Sequence, residues 1–351
     1  MTVLVTGGAG FIGANVAHQL LVAGEHVRLF DNLSRPGVEK NVRWLEESHR
    51  GRLDLVVADV RDPDALRRAL DGVDHVFHFA AQVAVTTSVS DPMLDFAVNA
   101  RGTLELLEAI RTRRPAPSLV YTSTNKVYGA LEDVTLRATP TRYEPEDAEL
   151  ASRGMSEDRP LSFHSPYGCS KGAADQYVLD YAHTFGVRAA VFRMSCIYGP
   201  RQFGNEDQGW VAHFIIRALR GEPLTIYGDG RQVRDILFVD DLVDALLRAR
   251  TDIDAIAGRA FNVGGGPGNT TSLVALVDEI ERLTRRRPRT LFEEWRVADQ
   301  RWYVSDPSAL EAALGWQPRT AAADGIERLV EWLSAQPENR LPAAPRPAHA
   351  P

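Results

Sequence analysis

Thr6-Gly7-Gly8-Ala9-Gly10-Phe11-Ile12-Gly13 follows the apolar run Thr2–Thr6 and opens an amphipathic one. Its glycines satisfy G-x-G-x-x-G at Gly8, Gly10 and Gly13, and a looser spacing at Gly7, Gly10 and Gly13. Such glycines allow a tight turn and let a pyrophosphate approach the backbone at a helix N-terminus, here the one begun by Phe11 and Ile12. The motif alone is a weak signal. Set between a strand and a helix at the start of an alternating chain, it is a strong one, and it predicts a dinucleotide site.

Outward from that turn, Thr2–Thr6, Glu25–Phe30, Leu53–Ala58, His75–Phe79, Ser118–Thr122 and Arg188–Arg193 read as strands. Most are continuous apolar runs, as in a parallel sheet covered on both faces. Phe11–Ala23, Val38–His49, Pro63–Leu70, Met93–Arg113 and Ser170–Phe185 carry helical periodicity. The alternation predicts right-handed βαβ units and an α/β fold with a doubly wound parallel sheet of the Rossmann type. Between Ala130 and Ser165 the pattern breaks into a polar stretch that reads as an insert near a site mouth. After Gly199 the elements are mixed, with helices near Gln208–Arg220 and Asp240–Arg250, and read as a smaller, partly interleaved α+β lobe. We expect residues 1–196 with 236–262 to bind the dinucleotide and 197–235 with 263–336 to form the lobe. The Pro/Ala-rich stretch 337–351 is expected to be a disordered tail.

At 351 residues the chain suits one large domain or two intimate ones. Its net charge of −7 argues against a nucleic-acid or anionic-membrane surface. The basic run Arg285-Arg286-Arg287-Pro288-Arg289 reads as a solvated helix end. The two cysteines, Cys169 and Cys196, fit neither a metal spacing nor a disulfide framework, so no metal is expected and a reducing cytoplasm is the simplest home. The residues after Met1 already read as a strand, so no leader is expected, and no apolar run approaches the ~20 residues of a membrane span.

Asp31 ends the second strand, near the offset of about 20 residues at which an acid takes the adenosine ribose hydroxyls. Its charge would repel a 2′-phosphate and favours NAD over NADP, while the nearby Arg35 keeps NADP open. The plainer alternative for Asp31 is a turn residue in Asp31-Asn32-Leu33-Ser34. Asp59 and Val60 follow the third strand and can flank the adenine. Phe79, Ala80, Ala81 and Gln82 follow the fourth, where small residues let a cofactor lie close. Ordinary strand-end packing is the alternative for Val60 and Phe79.

Of 40 basic residues only three, Lys40, Lys126 and Lys171, are lysines. Lysine is a titratable point charge and arginine a permanent planar fork, so the scarcity draws attention to where lysine was kept. Tyr167 and Lys171 stand four apart at the start of a helical segment and share a face. It is the one Tyr-x-x-x-Lys among nine tyrosines. An ammonium and an oxidised nicotinamide both favour phenolate, which can act as general base toward a substrate hydroxyl while hydride leaves its carbon. Thr124, just beyond the fifth strand, can hydrogen-bond the same oxygen. A surface helix pair is the bland reading of Tyr-x-x-x-Lys, but its order after a nucleotide fingerprint and a strand-end Thr argues against it.

With these residues in place, the chain resembles the extended short-chain dehydrogenase/reductases, the nucleotide-sugar epimerase and dehydratase group, over about residues 1–335. The resemblance implies the triad Thr124, Tyr167 and Lys171, tightly bound NAD, and a homodimer through the helices near Met93–Arg113 and Ser170–Phe185, with a homotetramer as alternative. Asn99 and Thr122 are expected in the same cofactor set, with Asn32 and Ser34. Sugar 4,6-dehydratases of the group carry Asp-Glu after the Thr; this chain has Asn125-Lys126, which cannot supply that carboxylate chemistry.

A narrower resemblance is to the 2-epimerases acting on CDP-paratose and CDP-tyvelose. It rests on Gln82–Ser88, Ser123-Thr124-Asn125-Lys126-Val127-Tyr128-Gly129, His164–Tyr177, Arg201-Gln202-Phe203 and Asp207–Val211, with a departure around Gly204-Asn205-Glu206. It implies oxidation of C2 to a ketone, rotation of the keto-sugar and hydride return to the other face, with no net redox change. Arg234 and Arg301 match diphosphate and nucleotide positions of the family; surface salt bridges are the alternative. Thr86, Ser88 and Asn125 are expected sugar contacts, Arg201 a further substrate contact, and Gln208 with Val211 flanks for the base. Lys126 either orders its loop, meets a sugar oxygen or pairs with an acid of the insert. The rival readings are a 4-epimerase or dehydrogenase of a UDP- or GDP-sugar and, from another class, a non-catalytic NAD-sensing module.

Overall fold

The computed structural model describes residues 1–339. Seven parallel strands form the central sheet: β1 (Thr2–Thr6), β2 (His26–Asp31), β3 (Leu53–Val57), β4 (His75–His78), β5 (Ser118–Thr124), β6 (Ala189–Met194) and β7 (Ala260–Val263). Their spatial order is β7-β6-β5-β4-β1-β2-β3. The chain runs outward from β1 to β3, then returns to place β4 against β1, with Val3 level with His75 and Thr6 level with His78. That reversal opens a crevice at the carboxyl ends of β1 and β4, the place where open α/β sheets bind ligands.

The continuous apolar strands have a direct cause. Side chains alternate across the sheet, and both faces are covered. Val3, Val5, Phe77 and Val120 enter one core, with the helices Trp210–Arg220 and Val239–Thr251. Leu4, Val76, Leu119 and Val191 enter the other, with Leu107 and Val178. Each such fully buried side chain contributes roughly 1.5–3 kcal/mol relative to exposure.

Several elements differ from their sequence expectation. β5 continues to Thr124, which is level with Met194 of β6, so Thr124 is the last strand residue and not the first loop residue. The helix expected from Ser170 begins at Ser165, with Pro166 in its first turn, where its missing N–H costs nothing. The stretch Met93–Arg113 is three pieces: Pro92–Phe96, a π turn at Ala97–Arg101, and Gly102–Arg111. β7 is a seventh strand beyond the six expected.

The second layer holds the parallel pair Leu224–Tyr227 and Thr290–Glu293 and a sheet built on Val233–Phe238. The polar insert is no part of the cleft lining. It forms the hairpin Leu136–Ala138/Tyr143–Pro145 and the short helix Ala148–Arg153, and its apolar side chains pack with Val233, Trp302 and Tyr303. Part of the stretch expected as a disordered tail is ordered: Pro337–Asn339 makes a 3-10 turn in which Glu338 pairs with Lys40 at 2.5 Å. The rest of that stretch, 340–351, lies outside the described residues.

Candidate functional site

A cleft of about 780 Å³ runs along the carboxyl edge of the sheet and under the second layer. At one end lies the turn after β1. Gly7 has φ 66°, and a Cβ there would sit 2.7 Å from the Ala80 nitrogen; a Cβ on Gly13 would sit 2.4 Å from the Gly7 carbonyl. Glycine is thus required for β1, β4 and the Phe11–Val22 helix to meet this closely. Gly10 caps that helix with no side chain on its first N–H groups, leaving them for an anion.

Asp31 accepts from the Ala9 N–H at 3.0 Å and the Leu33 N–H at 2.9 Å. Burial raises its carboxyl pKa, and those two N–H bonds oppose the rise. It therefore holds the glycine turn to β2 while lining the cleft. Asn32 bridges to Asp59 at 3.0 Å. The paired hydrogen bonds from Arg61, outweighing burial, hold the Asp59 carboxyl well below its ordinary range. Ser34, Arg35, Val60, Phe79, Ala80, Ala81 and Gln82 line the same end, with Gly10, Phe11 and Ile12. A glycine cradle, an open helix N-terminus and a cleft-lining carboxylate at the end of β2 fit a dinucleotide.

At the inner end Thr124, Tyr167 and Lys171 meet in the cleft. Thr124 comes from the end of β5, and the other two come from successive turns of the Ser165–Phe185 helix. The Lys171 ammonium donates to the Thr122 carbonyl at 2.6 Å and lies 4.3 Å from the Tyr121 ring centroid. Burial lowers Lys171 to about 7, opposed by the charges of Asp175 and Asp95. Burial likewise pushes Tyr167 up to about 12, with the Thr124 hydroxyl working against the rise and Asp95 adding to it. The Thr124 hydroxyl donates to Asn125 Oδ1 at 3.3 Å and accepts from the Lys126 N–H at 3.2 Å. Its remaining lone pair can take a proton-bearing oxygen from Tyr167 or a substrate.

Behind this group is a network that sequence reading did not find. Buried Asp95 accepts from Gln82 at 2.7 Å, from Asn99 at 3.1 Å and from the Ser170 hydroxyl. Asn99 also exchanges two 2.9 Å bonds with the Gln82 backbone. Asn99 therefore braces the Gln82 segment from behind and does not line the cleft. Asp95 and Asn99 stand four apart, but no spacing rule links them to Gln82 or Ser170; the π turn, the segment after β4 and the Ser165–Phe185 helix bring the four together.

On the substrate side, Asn125, Lys126, Gln208, Val211 and Arg234 line the cleft. Four expected contacts are not among its lining residues. Thr86 is exposed, and Ser88 is buried with its hydroxyl on the Val85 carbonyl at 2.7 Å. The Arg201 guanidinium lies 3.8 Å from the Trp44 ring centroid, beside Trp332. Arg301 is exposed, near Trp295 and Tyr143. A further arginine, Arg296, lines the cleft, 4.0 Å from the Tyr227 ring centroid and 3.6 Å from Asp207. Composition could not single it out among so many arginines. Cys196 also lines the cleft, its thiol pKa raised by burial, so it is no ready nucleophile. Among the described residues no group of three or more His, Cys, Asp or Glu side chains could hold a metal, and no helix is long and apolar enough to cross a membrane.

Residues 3–264 match the NAD dependent epimerase/dehydratase family. A CDP-paratose 2-epimerase of Salmonella typhi is 42% identical over 95% of this chain and 100% of its own. A UDP-glucose 4-epimerase of Mycolicibacterium smegmatis is 35% identical over 95% of this chain and 98% of its own. The crystal structure of UDP-glucuronic acid 4-epimerase from Bacillus cereus, in complex with UDP-glucuronic acid and NAD, superposes with a TM-score of 0.82. It is 27% identical, over 95% of this chain and 99% of that one.

Proposed function

The chain belongs to the NAD dependent epimerase/dehydratase family, and from that premise we propose that it inverts C2 of a CDP-linked sugar, of the CDP-paratose to CDP-tyvelose kind. The observation that carries this reading is the turn after Thr124. It presents an amide and an ammonium, Asn125 and Lys126, to the cleft that also holds Tyr167. Without a carboxyl pair there, elimination of water has no acid and base, whereas oxidation and reduction need only the Thr-Tyr-Lys set. The full-length likeness to a CDP-paratose 2-epimerase supports C2 and the cytidine nucleotide.

In this reading residues 1–196 and 236–262 hold NAD, and 197–235 with 263–336 hold the sugar nucleotide. Asp31 takes the adenosine ribose, the Gly7–Gly13 turn the diphosphate, and Lys171 the nicotinamide ribose. NAD bound there supplies a hydride acceptor and donor next to the sugar. A C2–H with no neighbouring carbonyl is not acidic, so direct deprotonation fails and oxidation is the available route to inversion. Tyr167 removes the C2 hydroxyl proton and later returns it. Thr124 orients that oxygen by turning its hydroxyl proton toward it and away from Asn125 Oδ1, which it meets at 3.3 Å. Protonated Lys171 favours the Tyr167 phenolate.

The test is incubation with CDP-paratose, and separately with UDP-glucose, followed by NMR of the sugar ring. C2 inversion of the CDP-sugar is the expected result. Inversion of UDP-glucose at C4 with CDP-paratose untouched refutes it. Tyr167→Phe is expected to abolish turnover, whereas an NAD-sensing module would keep its function.

A further inference from the structure

Arg234 is the residue that sequence reading assigned to the substrate diphosphate, yet its guanidinium is largely spent within the protein. Both protons of Nη2 are engaged, by Asp299 at 2.8 Å and by the Gln300 carbonyl at 2.5 Å. Nη1 donates to the Val233 carbonyl at 2.7 Å. A bidentate grip on phosphate by this end of the fork would break those bonds.

Lys126 is differently placed. It sits on the 3-10 turn Asn125–Tyr128, two residues past Thr124, and lines the cleft. Its side chain is only 19% exposed. An ammonium carries three donors. Here it makes one hydrogen bond, to the Ala298 carbonyl at 3.3 Å, and a 3.6 Å ion contact with Asp299. Asp299 is shared with Arg234 at closer range, so Lys126 and Arg234 share one carboxylate, while Glu206 and Asp207 lie beside Arg296. Burial lowers the Lys126 pKa; Asp299 opposes this and Arg234 adds to it. An anion in the cleft would engage the spare donors of Lys126 and give it a partner that it need not share with Arg234.

Resting on the reading that C2 reacts, we propose that Lys126 holds the sugar-proximal phosphate of the sugar nucleotide, beside Thr124. The geometry of a hexose makes this position meaningful. C2 is bonded directly to C1, the carbon that carries the phosphate, whereas C4 lies across the ring. For the C2 hydroxyl to meet Thr124 and Tyr167, that phosphate has to lie next to them, and the cation on the same turn is Lys126. For C4 to meet them, the phosphate lies farther out, and a cation two residues past Thr124 has no phosphate to grip. Lys126 thus acts as a specificity-determining residue through the placement of the anomeric phosphate.

The experiment compares CDP with CMP, which lacks the second phosphate, binding the NAD-loaded protein by calorimetry. Lys126→Gln is expected to lower the ratio of CDP to CMP affinity by roughly tenfold or more, the range of one charge-assisted hydrogen bond. CMP affinity and NAD content should hold. Lys126→Arg should retain most of the ratio. Lys126→Met keeps the buried stem and carries the same measurement if glutamine impairs folding. An unchanged CDP-to-CMP ratio in an enzyme that inverts CDP-paratose at C2 overturns the Lys126 assignment and leaves the functional reading standing. If the enzyme instead inverts UDP-glucose at C4, the functional reading fails. The UDP-to-UMP ratio in Lys126→Gln then decides the phosphate contact alone, and an unchanged ratio overturns that too.

Discussion

Lys171 holds a charge where the fold makes charge costly. Burial brings its pKa to about 7, against about 10.4 for an unfolded lysine. Between those values the unfolded chain binds more protons, so this residue makes stability rise with pH from about 7 to about 10. Below about 7 the full cost of the buried ammonium is present, on the order of a few kcal/mol. In Lys171→Met that contribution is absent. The stability of NAD-free wild type, measured relative to NAD-free Lys171→Met by thermal unfolding, should therefore increase between pH 7 and pH 9.5; a constant or falling difference contradicts the assignment. Lys171 and Lys126 were legible because lysine is scarce in this chain and each stands in a motif. Arg296, Arg201 and Arg301 were not separable, since which arginine faces a cleft depends on how the loop at 294–300 turns, and Ala298 there has a positive φ of 57° that no residue type announces. Lys40, the third lysine, pairs with Glu338 across the molecule.

At the level of elements, the strand-turn-helix around Gly7–Gly13 was fully legible, because its glycines answer a steric demand that spacing expresses directly. Gly13→Ala puts a Cβ against the Gly7 carbonyl and the Gly8 Cα, both backbone atoms that can yield only by moving the turn. Overpacking of this kind costs typically 1–3 kcal/mol. The variant is expected to fold with unchanged far-ultraviolet dichroism yet release little or no NAD on denaturation; NAD content equal to wild type counts against the cradle. The three-part element at 92–111 was not legible. A helical hydrophobic pattern survives a single π turn, and the turn places Asn99 where it meets both Gln82 and Asp95. Asp95 stands four residues before Asn99, but Gln82 lies beyond the element altogether, so periodicity carries no sign of that contact.

Across the whole molecule, the carboxyl edge of the sheet supplies the glycine turn and Thr124, the Ser165–Phe185 helix supplies Tyr167 and Lys171, and Gln208, Val211, Arg234 and Arg296 line the cleft beyond them. The doubly wound sheet could be read from the alternation of apolar runs. The placement of the polar insert could not, because polarity reports solvent exposure and not distance from a cleft. Met93, Phe96, Tyr177 and Phe185 are 76%, 53%, 43% and 49% exposed on the adjoining helices Pro92–Phe96 and Ser165–Phe185. A second copy of the chain would cover them, so sedimentation should show a two-chain species, and the double substitution Tyr177→Glu with Phe185→Glu should yield single chains. A two-chain species that persists in that variant would place the interface elsewhere. The central claim is inversion at C2 by a reversible oxidation confined to the cleft. The most direct test is turnover of CDP-paratose carrying deuterium at C2, in ordinary water, followed by NMR and mass measurement of the product. A C2-inverted sugar that keeps its deuterium is expected; an inverted product that has exchanged it for solvent hydrogen rules out hydride transfer to and from C2.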